Sequence, residues 1–297
     1  MTAPTDVPHP PPPFDRFRTS PLPSADTPGI STDHLGIRTR QTFFQPNPDA
    51  DPGTPRWPPA IDEEWPEWLD LIDAICDANP ERGFTMVELG AGFGRWITRA
   101  GVLCRYLKNE PIERITLVGV EAEPDHFAMM RQHLDDNGLL QDPDVTTHLH
   151  PTAVDAEPGE VPFHIGHPDQ WYGQAIARGD AAGRMQDFPE ATIQSVPALS
   201  LTQILEPLPH ADLLDLDIQG SEHTVLAAAT DALNAKVRRV HIGTHSTALE
   251  ADLRTLFNTM DWRPHHDFPC GQTVETLWGT IPFGDGVQTW INPNTKA

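Results

Sequence analysis

The stretch that most constrains this chain of 297 residues is Thr85-Met-Val-Glu88-Leu-Gly90-Ala-Gly92-Phe-Gly94-Arg-Trp96. A short apolar run broken by one carboxylate is followed by glycines at 90, 92 and 94, and then by a helical pattern. A strand running into a glycine turn that opens a helix is the nucleotide-cofactor entrance of an open α/β sheet. Glycine allows the tight turn and the close approach of a ligand. The expected fold is therefore α/β and Rossmann-like, with a mostly parallel sheet and helices on both faces.

Two details narrow the cofactor. Position 95, where a dinucleotide fingerprint wants its third glycine, is Arg95. Glu88 lies just before the turn, where a carboxylate repels a pyrophosphate and attracts a cation. S-adenosyl-L-methionine carries an ammonium and a sulfonium and no phosphate, so the charges favour it over a nicotinamide dinucleotide. Glu121, followed by Ala122, ends the next apolar run, Ile115-Thr-Leu-Val-Gly-Val120. In a right-handed βαβ unit this carboxylate stands beside the glycine turn and can accept both ribose hydroxyls of an adenosine cofactor. Val154 and Asp155, in a short strand after residue 152, are expected at the adenine ring. There an apolar wall packs the ring and a carboxylate accepts its amino group.

Composition separates the two ends of the chain. Fifteen of the 32 prolines fall in the first 60 residues, so residues 1–59 read as a Pro-rich, disordered or draped arm. Residues 60–297 are enough for one domain with one core. The net charge is −23, nearly all of it outside the arm. Such a surface repels phosphate backbones and anionic membranes, which leaves a small molecule as the expected partner. Assembly into a homo-oligomer stays open. Cys76, Cys104 and Cys270 are too widely spaced for a metal signature or a disulfide framework. No apolar run approaches the roughly 20 residues that span a bilayer. The N-terminus lacks the apolar core of a secretory signal, so a cytoplasmic location is expected.

Along the chain, a helix over 62–79 buries Trp65, Trp68, Leu69, Ile72 and Ile75, and strand 84–89 follows. Further helices are expected over 94–108 and from Pro124 to Asn137, with a strand over 144–149. Residues 152–155 and 160–164 look like a pair of short strands. Histidines at 148, 150, 164 and 167 match no usual ligand spacing. Residues 166–195 break the pattern and suggest a lid, with Trp171, Tyr172 and Gln174 as substrate contacts. Strand 211–216 leads into Asp217-Ile-Gln219-Gly220-Ser221-Glu222-His223. Ser221 is the expected cap of the next helix. The strand over 237–243 ends in Thr244-His245-Ser246, and Thr247 and Glu250 have capping-box spacing. Thr276–Ile281 and Val287–Ile291 alternate like a closing antiparallel pair.

Beyond the glycine turn, Leu213-Leu-Asp215-Leu-Asp217-Ile-Gln219-Gly220-Ser-Glu222-His-Thr-Val-Leu226 resembles the signature of the FkbM-type methyltransferase family. Val196-Pro197 to Leu201 and the 152–163 segment fit the same pattern, and the resemblance covers about residues 84–260. It implies a class I S-adenosylmethionine-dependent fold, a seven-stranded sheet closed by an antiparallel C-terminal strand pair. It also implies, in many members, O-methylation of a hydroxyl on a sugar or secondary metabolite. Cofactor contacts are implied at Glu88, Gly90, Gly92, Glu121 and the 153–155 corner; Ala91 and Gly94 lie within the glycine turn, and Asp217, at the carboxyl edge of strand 211–216, is a further expected contact. Two departures stand out: many members have Lys at Asp215 and Glu at Gln219.

For the chemistry, the sulfonium is already a good leaving group, and an alcohol needs its proton removed or polarised. Asp217 or His245 is the expected proton acceptor, Glu222 and His223 the orienting residues, and Gln219 a substrate contact. A variant has Asp217 and His245 hold a divalent metal that acidifies the hydroxyl, although two residues are a sparse ligand set. The competing readings are a catalytically silent scaffold of the same fold and a small-molecule N-methyltransferase.

Overall fold

The computed structural model describes residues 13–17, 29–33, 35–43, 59–107, 112–167, 174–178 and 191–295. Strands β1 (Ile30–Thr32) and β2 (Arg38–Arg40) form a small hairpin within the N-terminal arm. The arm contributes Phe14, Phe17, Leu35 and Ile37 to the main core. The domain then runs α1 (Trp65–Asp77), β3 (Phe84–Leu89), α2 (Arg95–Tyr106), β4 (Ile115–Val120), α3 (Pro124–Asp136) and β5 (Val145–His150). A second small sheet holds β6 (Ala153–Asp155), β7 (Gly159–Ile165) and β8 (Thr192–Ser200). After α4 (Leu201–Leu205) come β9 (Leu213–Leu216), α5 (Glu222–Ala227), α6 (Thr230–Lys236), β10 (Arg239–Thr244) and α7 (Thr247–Thr259). The chain closes with β11 (Arg263–Phe268), β12 (Gln272–Thr276), β13 (Gly279–Phe283) and β14 (Gly286–Ile291).

The main sheet has seven strands in the order β5-β4-β3-β9-β10-β14-β11. Strands β5 to β10 are parallel, and β14 runs antiparallel to both β10 and β11. This is the class I methyltransferase arrangement. Every residue of β3 is buried, as expected for a parallel strand covered on both faces. No helix among the described residues is long and apolar enough to cross a membrane.

Several local expectations shift. The closing pair is β11 with β14, while residues 272–283 form a separate β12–β13 hairpin. Period-2 alternation is the same in both hairpins, so the pattern alone does not tell which segment joins the sheet. Strands β6 and β7 do not pair with each other. Both flank β8, so residues 192–195 of the expected lid belong to a strand. Ser221 makes no side-chain cap, and α7 is capped by Ser246, whose Oγ accepts from the Leu249 amide at 3.2 Å. Glu250 accepts instead from Thr244 Oγ1 and the Cys270 amide.

The glycine turn is fixed from within the protein. Gly90 has φ +75°, and a Cβ built there would stand 2.0 Å from the Asp217 carbonyl oxygen. The parallel neighbours β3 and β9 end side by side at this point, and the Asp217 amide donates to Leu89 O at 3.0 Å. Gly90→Ala meets both the wrong backbone region and a backbone wall. It is expected to cost about 3 kcal/mol of stability, read as a lower urea midpoint. An unchanged midpoint would contradict this close contact.

Candidate active site

A cavity of about 390 Å³ opens along the carboxyl edges of β3, β4, β9 and β10. That volume suits a small-molecule site. Its lining divides by topology into a side towards β4 and β6 and a side towards α1 and β10.

On the β4 side, Gly90, Ala91, Gly92, Glu121, Ala122 and Val154 line the cavity as expected. Glu121 is nearly enclosed, and its two oxygens accept the Gly92 amide at 2.8 Å and the Glu123 amide at 2.7 Å. Burial pushes this carboxyl up to about 7 against those two bonds. Thr152 Oγ1 and Gln174 Oε1 are buried here and have no hydrogen-bond partner among the described residues. Both residues line the cavity, and these two atoms are left unpaired by the protein there. Gln174, expected as a substrate contact, thus lines the same cavity as Glu121. Trp171 and Tyr172 lie outside the described residues.

Three expected contacts are differently employed. Asp155 is buried outside the cavity lining and pairs with Arg178 at 2.6 Å. Gly94 also stays out of the lining and starts α2 in a left-handed conformation, φ +67°. Glu88 lines the cavity, but its oxygens accept the Trp96 and Ile97 amides at 3.2 and 3.0 Å. It caps α2 from the strand, in place of a side-chain cap at Gly94. Burial and the nearby Asp215 raise its carboxyl to about 8. Glu88 is therefore not a fixed negative charge awaiting a cation.

The reaction edge is built on Asp217 and Gln219, which both line the cavity. Gln219 Nε2 donates to Asp217 Oδ1 at 2.8 Å. His245 places Nε2 3.0 Å from Asp217 Oδ1 and 3.4 Å from Glu222 Oε1, and Nδ1 3.1 Å from Asp285 Oδ1. With carboxylates on both nitrogens, the ring holds two protons. Burial opposes this, but bonds to Asp217, Asp285 and Glu222 raise His245 to about 12. Raised this far, His245 is suited to balancing the charge of Asp217 and not to accepting a substrate proton, against its half of the expected base assignment. The Asp217 carboxyl, despite desolvation, is held below its usual value by His245 and Gln219.

Glu222 is fully buried and sits behind this edge. Its Oε1 accepts the Ile218 and Gly220 amides, each at 3.1 Å, and so clamps the turn that presents Asp217. His223 is half-buried on α5 outside the lining and gives no support to an orienting role. Asp217, Glu222 and His245 each offer one ligand atom within 4.8 Å of the others. The imidazolium already supplies the positive charge among these carboxylates. None of the histidines at 148, 150, 164 and 167 joins such a group among the described residues.

The side facing α1 holds groups not singled out from the sequence: Glu63, Glu67, Asp285 and His241. Glu88, Asp215, His241, Thr289 and His266 stand in one registered row across five neighbouring strands. Asp70 of α1, fully buried, accepts from Arg239, His241, His266 and Thr289 at this row. Burial raises Asp215 to about 8, the charges of Asp217 and Asp70 add to it, and a hydrogen bond from Glu67 opposes it. Burial and Asp215 together hold Glu67 well above the usual range. The signal for this side was a second stripe on α1, with acids at 64, 67, 70, 73 and 77 beside the apolar one.

Residues 88–265, more than half of the chain, match the family model described as "Methyltransferase FkbM domain". The protein belongs to the FkbM methyltransferase family. A relative from Jannaschia sp. (strain CCS1), described as "Putative methyltransferase", is 28% identical over 262 residues, covering 82% of this chain and 85% of its own. Among solved structures, the methyltransferase FkbM of Methylobacillus flagellatus KT is 14% identical with a TM-score of 0.40. That match covers 77% of this chain and 55% of the other. The C-terminal domain of precorrin-6Y C5,15-methyltransferase from Rhodobacter capsulatus is 11% identical with a TM-score of 0.41, covering 76% and 88%. In this FkbM-domain chain the fold rests on its own sheet order, and methyl transfer on the family match.

The state of His245 sets a pH dependence. A folded value near 12 against an ordinary 6.5 gives stabilisation that is complete below about 6.5 and declines progressively as pH rises towards 12. The stability difference between the native protein and His245→Gln should therefore shrink from pH 6 to pH 9.5 in urea titrations. A constant or growing difference would show the ring to be neutral.

Proposed function

We propose that this family member transfers the methyl group of S-adenosyl-L-methionine to a hydroxyl of a small molecule. The observation carrying this reading is one continuous cavity that joins the Glu121 side to the Asp217 edge. The residues fit the cofactor. The Glu121 carboxylate keeps acceptor capacity for ribose hydroxyls, and Val154 offers an apolar wall. The unpaired Gln174 Oε1 and Thr152 Oγ1 can take up the adenine amino group and a ring nitrogen. A silent scaffold would have no use for unsatisfied buried atoms in such a pocket.

When bound, the cofactor supplies an electrophilic methyl: the acceptor oxygen bonds to that carbon, the carbon–sulfur bond breaks, and its electron pair stays on sulfur. The protein's part is alignment and proton handling. Asp217, exposed at the cavity edge, accepts the hydrogen bond of the acceptor hydroxyl and takes its proton as the oxygen bonds to carbon. His245 positions Asp217 and balances its charge, and Glu222 holds the turn. Neither needs a metal to do so.

Calorimetric titration with S-adenosyl-L-methionine tests the cofactor. Glu121→Ala should weaken binding at least tenfold and Gln174→Ala severalfold. No binding to the native protein would overturn the assignment. With labelled cofactor and a panel of hydroxylated small molecules, label should reach a carbon–oxygen product. The rate should fall about 100-fold in Asp217→Asn and be unchanged by EDTA. Loss of activity in EDTA would reinstate the metal.

A further inference from the structure

Beside the transfer edge, three acceptor groups converge where α1 faces the cavity. A Glu67 oxygen, an Asp215 oxygen and a ring nitrogen of His241 lie within 4.8 Å of one another. His241 is 4% exposed, and its Nδ1 is committed to Asp70 Oδ2 at 2.8 Å. Asp70 Oδ2 accepts the Nδ1 proton in this hydrogen bond, so in the neutral ring Nε2 is the acceptor. It has no hydrogen bond among the described residues, although His241 lines the cavity.

We propose that Glu67, Asp215 and His241 form a subsite for a primary ammonium group carried by the methyl acceptor. This rests on the acceptor entering the same cavity as the cofactor. An ammonium has three N–H donors and no acceptor, which matches three converging acceptors. The neighbouring cations Arg95 and Arg99 are both paired with Glu64, and Arg99 also stacks on Trp68 and Trp96. Charge fits as well. Burial and the closeness of two like charges favour a proton on the Glu67–Asp215 pair, which an entering ammonium displaces. An ammonium in place of that proton leaves the net charge of the buried site unchanged. A divalent ion would raise it by one. Trp96 and Val287 line the same cavity and offer apolar contact to the carbon frame of an amine.

The subsite also separates anchoring from transfer. A nitrogen engaged through three N–H bonds has no lone pair, so it is not the atom methylated. The acceptor is thus an amino alcohol in the broad sense, held by its ammonium on the α1 side while a hydroxyl reaches Asp217. Asp215, two residues before Asp217, ties the anchoring group to the edge where the hydroxyl is held.

The test is calorimetry with benzylamine, benzyl alcohol and Mn²⁺ as probes, run with and without saturating S-adenosylhomocysteine. Benzylamine should bind saturably in the millimolar range and benzyl alcohol at least tenfold more weakly. Asp215→Asn and Glu67→Gln should each weaken the amine at least tenfold. Equal binding of amine and alcohol, no amine binding, or amine binding unchanged in both variants would overturn the subsite. So would Mn²⁺ binding that Asp215→Asn abolishes, which would make it a metal site. The S-adenosylhomocysteine titration of each variant reports separately whether the cofactor side is intact. A failure of the cofactor reading therefore stays distinct from a failure here.

Discussion

The constraint on which the site depends is the contact between the ends of β3 and β9. The missing side chain of Gly90 lets the Asp217 backbone pass where a Cβ would stand only 2.0 Å from its carbonyl oxygen. The same contact ties the Asp217 amide to Leu89 O. The glycine turn and the Asp217 carboxylate are therefore set against each other by backbone, not by flexible side chains. Such fixed placement suits a reaction that needs mainly alignment. It also gives the first glycine of the motif a use that has nothing to do with a ligand.

A second constraint lies beneath α1. A row of polar side chains across five strands replaces the apolar layer expected under a helix. Buried polar groups are tolerated when they are paired. Asp70 provides the pairing, with four donors on one fully buried carboxylate. Arg239 and the histidines are anchored by it. His241 is consequently turned with its free nitrogen to the cavity. The network that makes α1 dock also orients a group at the floor of the site, so packing and binding share the same residues here.

The parallel half of the fold was legible because its signals are local. Continuous apolar runs gave β3 and β4 to the residue, and Pro124 at the start of α3 marked a helix entrance that the structure keeps. What depended on partner choice was not legible. Alternation in 276–291 fits a hairpin, yet β14 pairs with β10 and β11 because hydrophobic Val287 and Trp290 complete the core between them. In the site, Glu121, Gly90, Gly92, Val154 and Asp217 follow from motif and topology. Asp155 does not, since only tertiary structure brings Arg178 to it. Glu67 and Asp70 were hidden by a reading of α1 as one apolar stripe, when the helix carries a second, acidic one, and His241 by its place within strand β10.

The carboxyls of the cavity also show why counting acids misstates a charge. With a net charge of −23, every acid in the pocket looks like an invitation to a cation. Their states diverge with their partners. Asp70 and Asp217 face several donors or an imidazolium and are held low, whereas Glu88 and Asp215 rise to about 8 where burial and like charge outweigh their bonds. Glu88, the acid that first suggested a cationic cofactor, is among those that do not carry a dependable charge. It is spent on the amides of α2. The negative field that a cationic ligand meets comes instead from the Asp217 edge, and from the Glu67–Asp215 pair once it is ionised. The electrostatic preference of the site is therefore set by the α1 side and β9, and only in small part by the turn that announces the fold.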